Sequence, residues 1–302
     1  MLPLIYHEGY DLHFGDHVFP SIKYKLIRQR MLAEGFATEA DFLAPAPATD
    51  EDLMLVHDRG WISRLKHGTL SYHEVLQLEI PYSRPMVDAF WLAAGGSILA
   101  ARQALQSRAA YNVGGGFHHA FPGHGEGFCA VHDVAIGIRK LQAEKLIERA
   151  IIVDVDVHQG NGSAAIFAAD PTVFTLSIHQ FNNYPAIKPP SKLDIHLPDS
   201  IGDDEYLARL RTPLENALDD FKPQLLMYVA GADPYENDKL GGLSLTLEGL
   251  RLRDDMVLDA ALSRNIPVCI TLAGGYAMKL EDTVTIHYNT ARAAAAALER
   301  AA

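Results

Sequence analysis

The sequence predicts an α/β fold, a mainly parallel sheet with helices on both faces. Three observations predict it. Strand-like apolar runs alternate with helix-length patterns along the whole chain, the order expected of βαβ units. The runs are continuously apolar, as strands covered on both faces are. Glycines and ionisable residues gather just after the runs, where open parallel sheets build their sites.

The strand candidates are AAYNVG (109–114), RAIIVDVDV (149–157), TVFTLSIH (172–179), PQLLMYVAG (223–231) and IPVCITLAG (266–274). Helix patterns lie near 20–34, 50–66, 85–106, 131–146, 204–220 and 247–264, and the Ala-rich tail TARAAAAALERAA reads as a further helix. The stretch MVDAFWLAAGGSILAARQAL reads as a core helix whose Gly pair lets a neighbour pack closely. No linker, repeat or low-complexity segment divides the 302 residues, so one domain is expected. At 48% hydrophobic and 21% charged residues, the chain can bury a sizeable core.

The net charge is −12 and no Lys/Arg block occurs, which argues against nucleic-acid binding. Cys129 and Cys269 are the two cysteines and form no CxxC pair, which suits a reducing compartment, and a cytoplasmic location is expected. The start, MLPLIYHEGYDLHFG, lacks the apolar core of a signal peptide, and no apolar run is long enough to span a membrane.

The chemistry begins in IIVDVDVHQGNG (151–162). On a strand, Asp154, Asp156 and His158 share one face. A buried carboxylate is costly unless it is paired or binds a metal. Asp156, His158 and Asp233, the last at another strand end, make a plausible three-ligand site for a divalent metal with one open position. Zn²⁺ is the simplest candidate, and Fe²⁺, Co²⁺ or Mn²⁺ suit the same donors. The plainer alternative has Asp156 capping a helix and His158 packed in a turn. His118 and His119 follow three glycines and could serve a metal-activated water as base and acid. Asp154 and Asn161 are natural partners for their second nitrogens. Tyr276 follows Gly274 and Gly275 and could donate to an oxyanion, or merely pack. Cys129 reads as a small buried group.

The motifs GGGFHHA, DVDVHQGNG, GADPYENDKLGG and GGYA resemble, in order and approximate spacing, the zinc-dependent histone deacetylase family. The likeness extends to YHEGYDLHFGDHVFPSIKYKLI and GFCAVHDVAIGI, and so to nearly the whole chain. HQGNG, LGGLSLT and the short GGY look most like class IV and its bacterial relatives. The resemblance implies an arginase-like α/β domain over 1–302, with a sheet of about eight strands. It implies an amidohydrolase acting on acyl-lysine proteins or peptides, or on small N-acyl amines. Asp156, His158 and Asp233 would bind Zn²⁺. His118 would pair with Asp154, His119 would act as general base and acid on the water and leaving amine, and Tyr276 would hold the oxyanion. Gly127, Phe128, Tyr184, Leu240 and Gly275 would line the acyl tunnel. A structural K⁺ would use Asp154, Asp156, His158 and Ser177. The rivals are an acetylpolyamine amidohydrolase, a long-chain deacylase, an arginase-type hydrolase and a silent acyl-lysine binding module. The first would need an acidic gate and the second a deep apolar pocket, and of these two the class IV resemblance favours the second. Nothing points to histones themselves.

Three positions depart from the family pattern or are hard to align. Glu79 in LEIPYSRP is the one acid available for the rim, and His13 and His17 are further rim candidates. Tyr184 stands where Phe is commoner, in an irregular segment, NNYPAIKPPSKLD. Asn161 stands where many relatives carry Asp. A neutral partner stabilises an imidazolium less than a carboxylate does. Asn161→Asp is therefore expected to shift the acid side of the pH–rate profile, and an unchanged profile would remove the idea.

Overall fold

The computed structural model describes residues 2–12, 14–15 and 17–301. Its strands are β1 (Leu4–Ile5), β2 (Phe42–Leu43), β3 (Ala109–Asn112), β4 (Ala150–Asp154), β5 (Val173–Gln180), β6 (Leu193–Leu197), β7 (Leu225–Val229) and β8 (Val268–Thr271). Its α-helices are α1 (Lys23–Ala33), α2 (Asp50–Leu53), α3 (Arg59–His67), α4 (Tyr72–Leu78), α5 (Arg84–Ser107), α6 (Asp133–Ala143), α7 (Asn161–Ile166), α8 (Asp203–Phe221), α9 (Leu247–Leu262) and α10 (Leu280–Arg300). All eight strands pair in parallel, in the order β2-β1-β3-β8-β7-β4-β5-β6.

The four central strands are buried along their whole length. Their side chains alternate between two cores, as strand geometry requires. Ile151, Val153, Leu226, Tyr228, Val268 and Ile270 face the core shared with α1, α8, α9 and α10. Ala150, Ile152, Leu225, Met227 and Cys269 face the core shared with α6 and the C-terminal half of α5. Both faces are thus covered, as the apolar runs predict. Among the described residues, no helix is long and apolar enough to cross a membrane.

The differences from expectation lie at the ends. The run 149–157 leaves the sheet at Asp154, so Asp156 and His158 sit in the following loop rather than on a strand face. The loop stays tethered, because Val155 N donates to Val229 O and Gln180 N to Val157 O. The helix expected over 50–66 is two helices. Asp58 N is taken by Pro122 O and His57 Nδ1 faces Phe121 O, so this turn binds the 121–122 loop instead of continuing the helix. Helix α4 went unread, although Ser71 and Glu74 form a capping box at its start. In the irregular segment the structure places β6, whose one buried residue is Leu197.

The order β3-β8-β7-β4 makes neighbours of four strands far apart in sequence, and all four end on the same side. One anchor of that edge is Asp133, buried in the first turn of α6. Its carboxylate accepts from Gly116 N at 3.0 Å, Phe117 N at 2.8 Å and Ser97 Oγ at 2.5 Å. A β-carbon on Gly115, at φ +71°, would stand 2.3 Å from that carboxylate. Asp133→Ala leaves the Gly116 and Phe117 N–H groups buried and unpaired, and should cost about 2–4 kcal/mol of stability. A urea midpoint that falls accordingly is expected.

Candidate active site and metal centre

The loops after β3, β4, β7 and β8 bring the sequence motifs together. The glycine turn 114–116 carries His118 and His119 over the sheet edge. His118 Nδ1 meets Asp154 Oδ2 at 2.7 Å, and His119 Nδ1 meets Asn161 Oδ1 at 2.7 Å. The two imidazole centroids are 4.0 Å apart. All four side chains are buried.

Asp156, His158 and Asp233 present one ligand atom each within 4.8 Å of one another. The protein's own hydrogen bonds orient these donors. Asp156 Oδ1 accepts from His158 N at 3.0 Å, Asp156 Oδ2 from Gly274 N at 2.9 Å, and Asp233 Oδ1 from Val157 N at 2.9 Å. Asp233 Oδ2 is buried with no hydrogen-bond partner. A buried carboxylate oxygen left bare is expensive, and a cation satisfies it. Glycines keep the space open. A β-carbon on Gly274 would lie 2.0 Å from Asp233 Oδ2, and one on Gly231 2.6 Å from Asp156 Oδ2. One imidazole and two carboxylates, one of which has a bare oxygen, fit a divalent metal.

The electrostatics separate the two adjacent histidines. Burial pushes His118 down, but the Asp154 and Asp156 carboxylates outweigh it and hold the imidazole at about 9. Burial pushes His119 well down, and the charge of His118 pushes the same way. His119 is therefore the neutral member, able to accept a proton. Burial, and then the charges of Asp233 and Asp156, hold Tyr276 well above the ordinary tyrosine range, so it remains a donor.

A cavity of about 180 Å³ opens onto these groups, with His119, His158 and Tyr276 in its lining. Gly127, Phe128, Tyr184 and Leu240 also line it, with Glu79 and Asn183, and Gly275 does not. Gly127, at φ +52°, brings backbone against His119 and Tyr184, where a β-carbon would stand 2.8 Å and 3.0 Å from their rings. Phe128 itself holds φ +68°, uncommon for a bulky residue and often seen where a side chain must be aimed. Gly275 packs toward Ala232, Thr283 and His287. Ser177 pairs in register with Asp154, and its hydroxyl is engaged by His179 Nδ1 at 2.9 Å. His17 packs edge-on against Phe128 and bonds Glu79 O, one layer behind the wall. His13 lies outside the described residues.

The sequence reading missed Glu126. Its carboxylate accepts from Asn161 Nδ2 at 2.5 Å and from the Tyr184 hydroxyl at 2.8 Å. The only local signal is its place beside GFC.

Comparison with known proteins gives the context for this geometry. The histone deacetylase domain model matches residues 17–291. An uncharacterized protein of Picosynechococcus sp. is 40% identical, over 97% of this chain and 98% of its own. Histone deacetylase 2 of Arabidopsis thaliana is 31% identical, over 90% of this chain and 74% of its own. Acetoin utilization protein AcuC of Staphylococcus aureus is 29% identical, over 80% and 67%. The crystal structure of the HDA15 HD domain superposes with a TM-score of 0.78 at 22% identity, over 98% of this chain and 90% of that one, and so shares the fold. With a family match that spans most of its length and a sheet edge that gathers the family's motifs, this chain belongs to the histone deacetylase family.

Proposed function

We propose that this protein is a zinc-dependent amidohydrolase that removes an acyl group from acyl-lysine or a related N-acyl amine. One observation carries the reading. The cavity lined by His158, one of the three candidate metal ligands, is also lined by His119, which burial holds neutral, and by Tyr276, the two groups an amide hydrolysis needs beside the metal.

Asp156, His158 and Asp233 would hold the cation. When bound, zinc polarises the amide carbonyl and lowers the pKa of a water molecule. His119 takes a proton from the attacking water and delivers it to the departing amine, so that the amine leaves neutral. Nδ1 bonded to Asn161 leaves Nε2 of the same ring for that exchange. His118, paired with Asp154, supplies fixed positive charge behind His119, 4.0 Å away between ring centroids. Tyr276 donates to the developing oxyanion. Phe128 and Tyr184 exclude water from the methylene chain of the substrate.

The cavity bears on the substrate. At about 180 Å³ it is small beside the roughly 300–1,000 Å³ of typical ligand pockets, which favours a short acyl group over a long one. Glu79 in its lining supports a second reading, an N-acetylated polyamine whose distal ammonium meets this carboxyl. Burial, and then the Glu126 charge, hold the Glu79 carboxyl above the ordinary range.

Elemental analysis of purified protein should return one zinc per chain, and two catalytic metals would favour an arginase-type hydrolase instead. Asp233→Asn should weaken metal binding by more than the roughly 100-fold that losing an outer-shell partner can cost, read by dialysis against a chelator. Acyl-lysine peptides from acetyl to myristoyl, and acetylated polyamines, form the substrate panel. Turnover should be best on short acyl groups, and Tyr276→Phe should lower kcat by about 10²–10³. Full activity in that variant would end the oxyanion assignment.

A further inference from the structure

The Asn161 amide bridges two side chains with opposite needs. Its Oδ1 meets His119 Nδ1 at 2.7 Å, and its Nδ2 donates to Glu126 Oε1 at 2.5 Å. That same Oε1 accepts the Tyr184 hydroxyl at 2.8 Å. The second oxygen, Oε2, faces Gln77 Nε2 and His124 Nε2, each at 3.1 Å. Every group around this carboxylate can donate to it.

An amide can sit in either of two orientations related by a flip. An ionised carboxylate only accepts hydrogen bonds, so the amide must turn its NH₂ to Glu126 and its carbonyl to His119, an orientation that Gly162 N also favours by donating to Oδ1 at 3.1 Å. His119 must then carry its proton on Nδ1, which leaves Nε2 with a lone pair. Burial pushes the Glu126 carboxyl up, but the bonds from His124, Tyr184, Asn161 and Gln77 outweigh it and keep it ionised.

We propose that Glu126 is a positioning residue that holds the Asn161 amide and the Tyr184 hydroxyl on one oxygen, and thereby sets the His119 tautomer and the tunnel wall together. The proposal rests on the reading of His119 as the proton shuttle. It also changes what Asn161→Asp does alone. That substitution sets a second carboxylate beside Glu126, and two carboxylates in contact cannot both stay ionised. A carboxylate at 161 becomes acceptable once Glu126 is made neutral.

The test uses zinc-loaded protein and two readouts. The first needs no substrate. Long-range ¹H–¹⁵N spectra of ¹⁵N-histidine protein, with His119→Ala to assign the signal, report the His119 tautomer. The Nδ1–H form is expected in wild type and in Glu126→Gln, and a mixture in Glu126→Ala. A single Nδ1–H form in Glu126→Ala overturns the proposal. The second readout is kinetic, on the preferred acyl-lysine peptide. Glu126→Ala should lower kcat about tenfold or more and raise KM, since proton transfer and wall both loosen. Glu126→Gln, whose carbonyl oxygen still accepts both bonds, should recover most of the loss. Asn161→Asp/Glu126→Gln should be more active than Asn161→Asp, a non-additive pair. Equal damage from Glu126→Ala and Glu126→Gln, or strict additivity at 126 and 161, overturns the positioning role. Should Glu126→Ala fail to fold, the Asn161→Asp pair decides. Should wild type hydrolyse no amide, the hydrolase reading fails while the tautomer spectra still judge Glu126.

Discussion

The crowding of buried negative charge at one point of the sheet edge is the constraint that the surroundings answer. Asp154, Asp156 and Asp233 are all almost wholly buried, and ligand atoms of Asp156 and Asp233 lie within 4.8 Å of each other. Such a group is unstable by itself, since each carboxylate loses its hydration and feels its neighbours. The protein answers in layers. His118 neutralises Asp154, backbone N–H groups of Val157, His158 and Gly274 fill defined lone pairs, and the remaining oxygen of Asp233 is left for a cation. Glycines at 231 and 274 exist there because any side chain would occupy the same space.

The same charges divide labour between two neighbouring histidines. Adjacent in sequence and 4.0 Å apart at their centroids, they would be near-equivalent in water. One faces a carboxylate and is held protonated. The other faces an amide, with its neighbour's charge beside it, and is held neutral. The environment thus holds the two rings in different protonation states. The wall residues are tied into this arrangement, because Tyr184 and Asn161 share an acceptor.

Much of this was legible in the sequence, and the reasons are physical. The central strands announce themselves because burial on both faces demands unbroken apolar runs. The Gly-rich strand ends announce the site because only glycine lets backbone approach so closely. What stayed hidden depends on contacts distant in sequence. The strands Leu4–Ile5 and Phe42–Leu43 are two residues long and carry no periodicity. The alternation of Asp154, Asp156 and His158 suggested a strand face, yet the ladder stops at Asp154 and a loop completes the geometry. Glu126 acts on residues 35 and 58 positions away, and no local pattern marks it.

The strand order also governs how the molecule is made. Strand β8, near the end of the chain, lies between β3 and β7 and supplies the edge hydrogen bonds of both. During synthesis the first 267 residues therefore emerge as a sheet with its middle missing, in two halves with unpaired edges. Pairing across such a separation in sequence is slow, and open edges invite association with other chains. The metal donors of β4 and β7 can approach each other before that closure, but Gly274 and Tyr276 arrive only with it. The approach of these carboxylates and the completion of the pocket are thus separable events in the life of the nascent chain, and a truncated product would gather the charge without the groups that answer it.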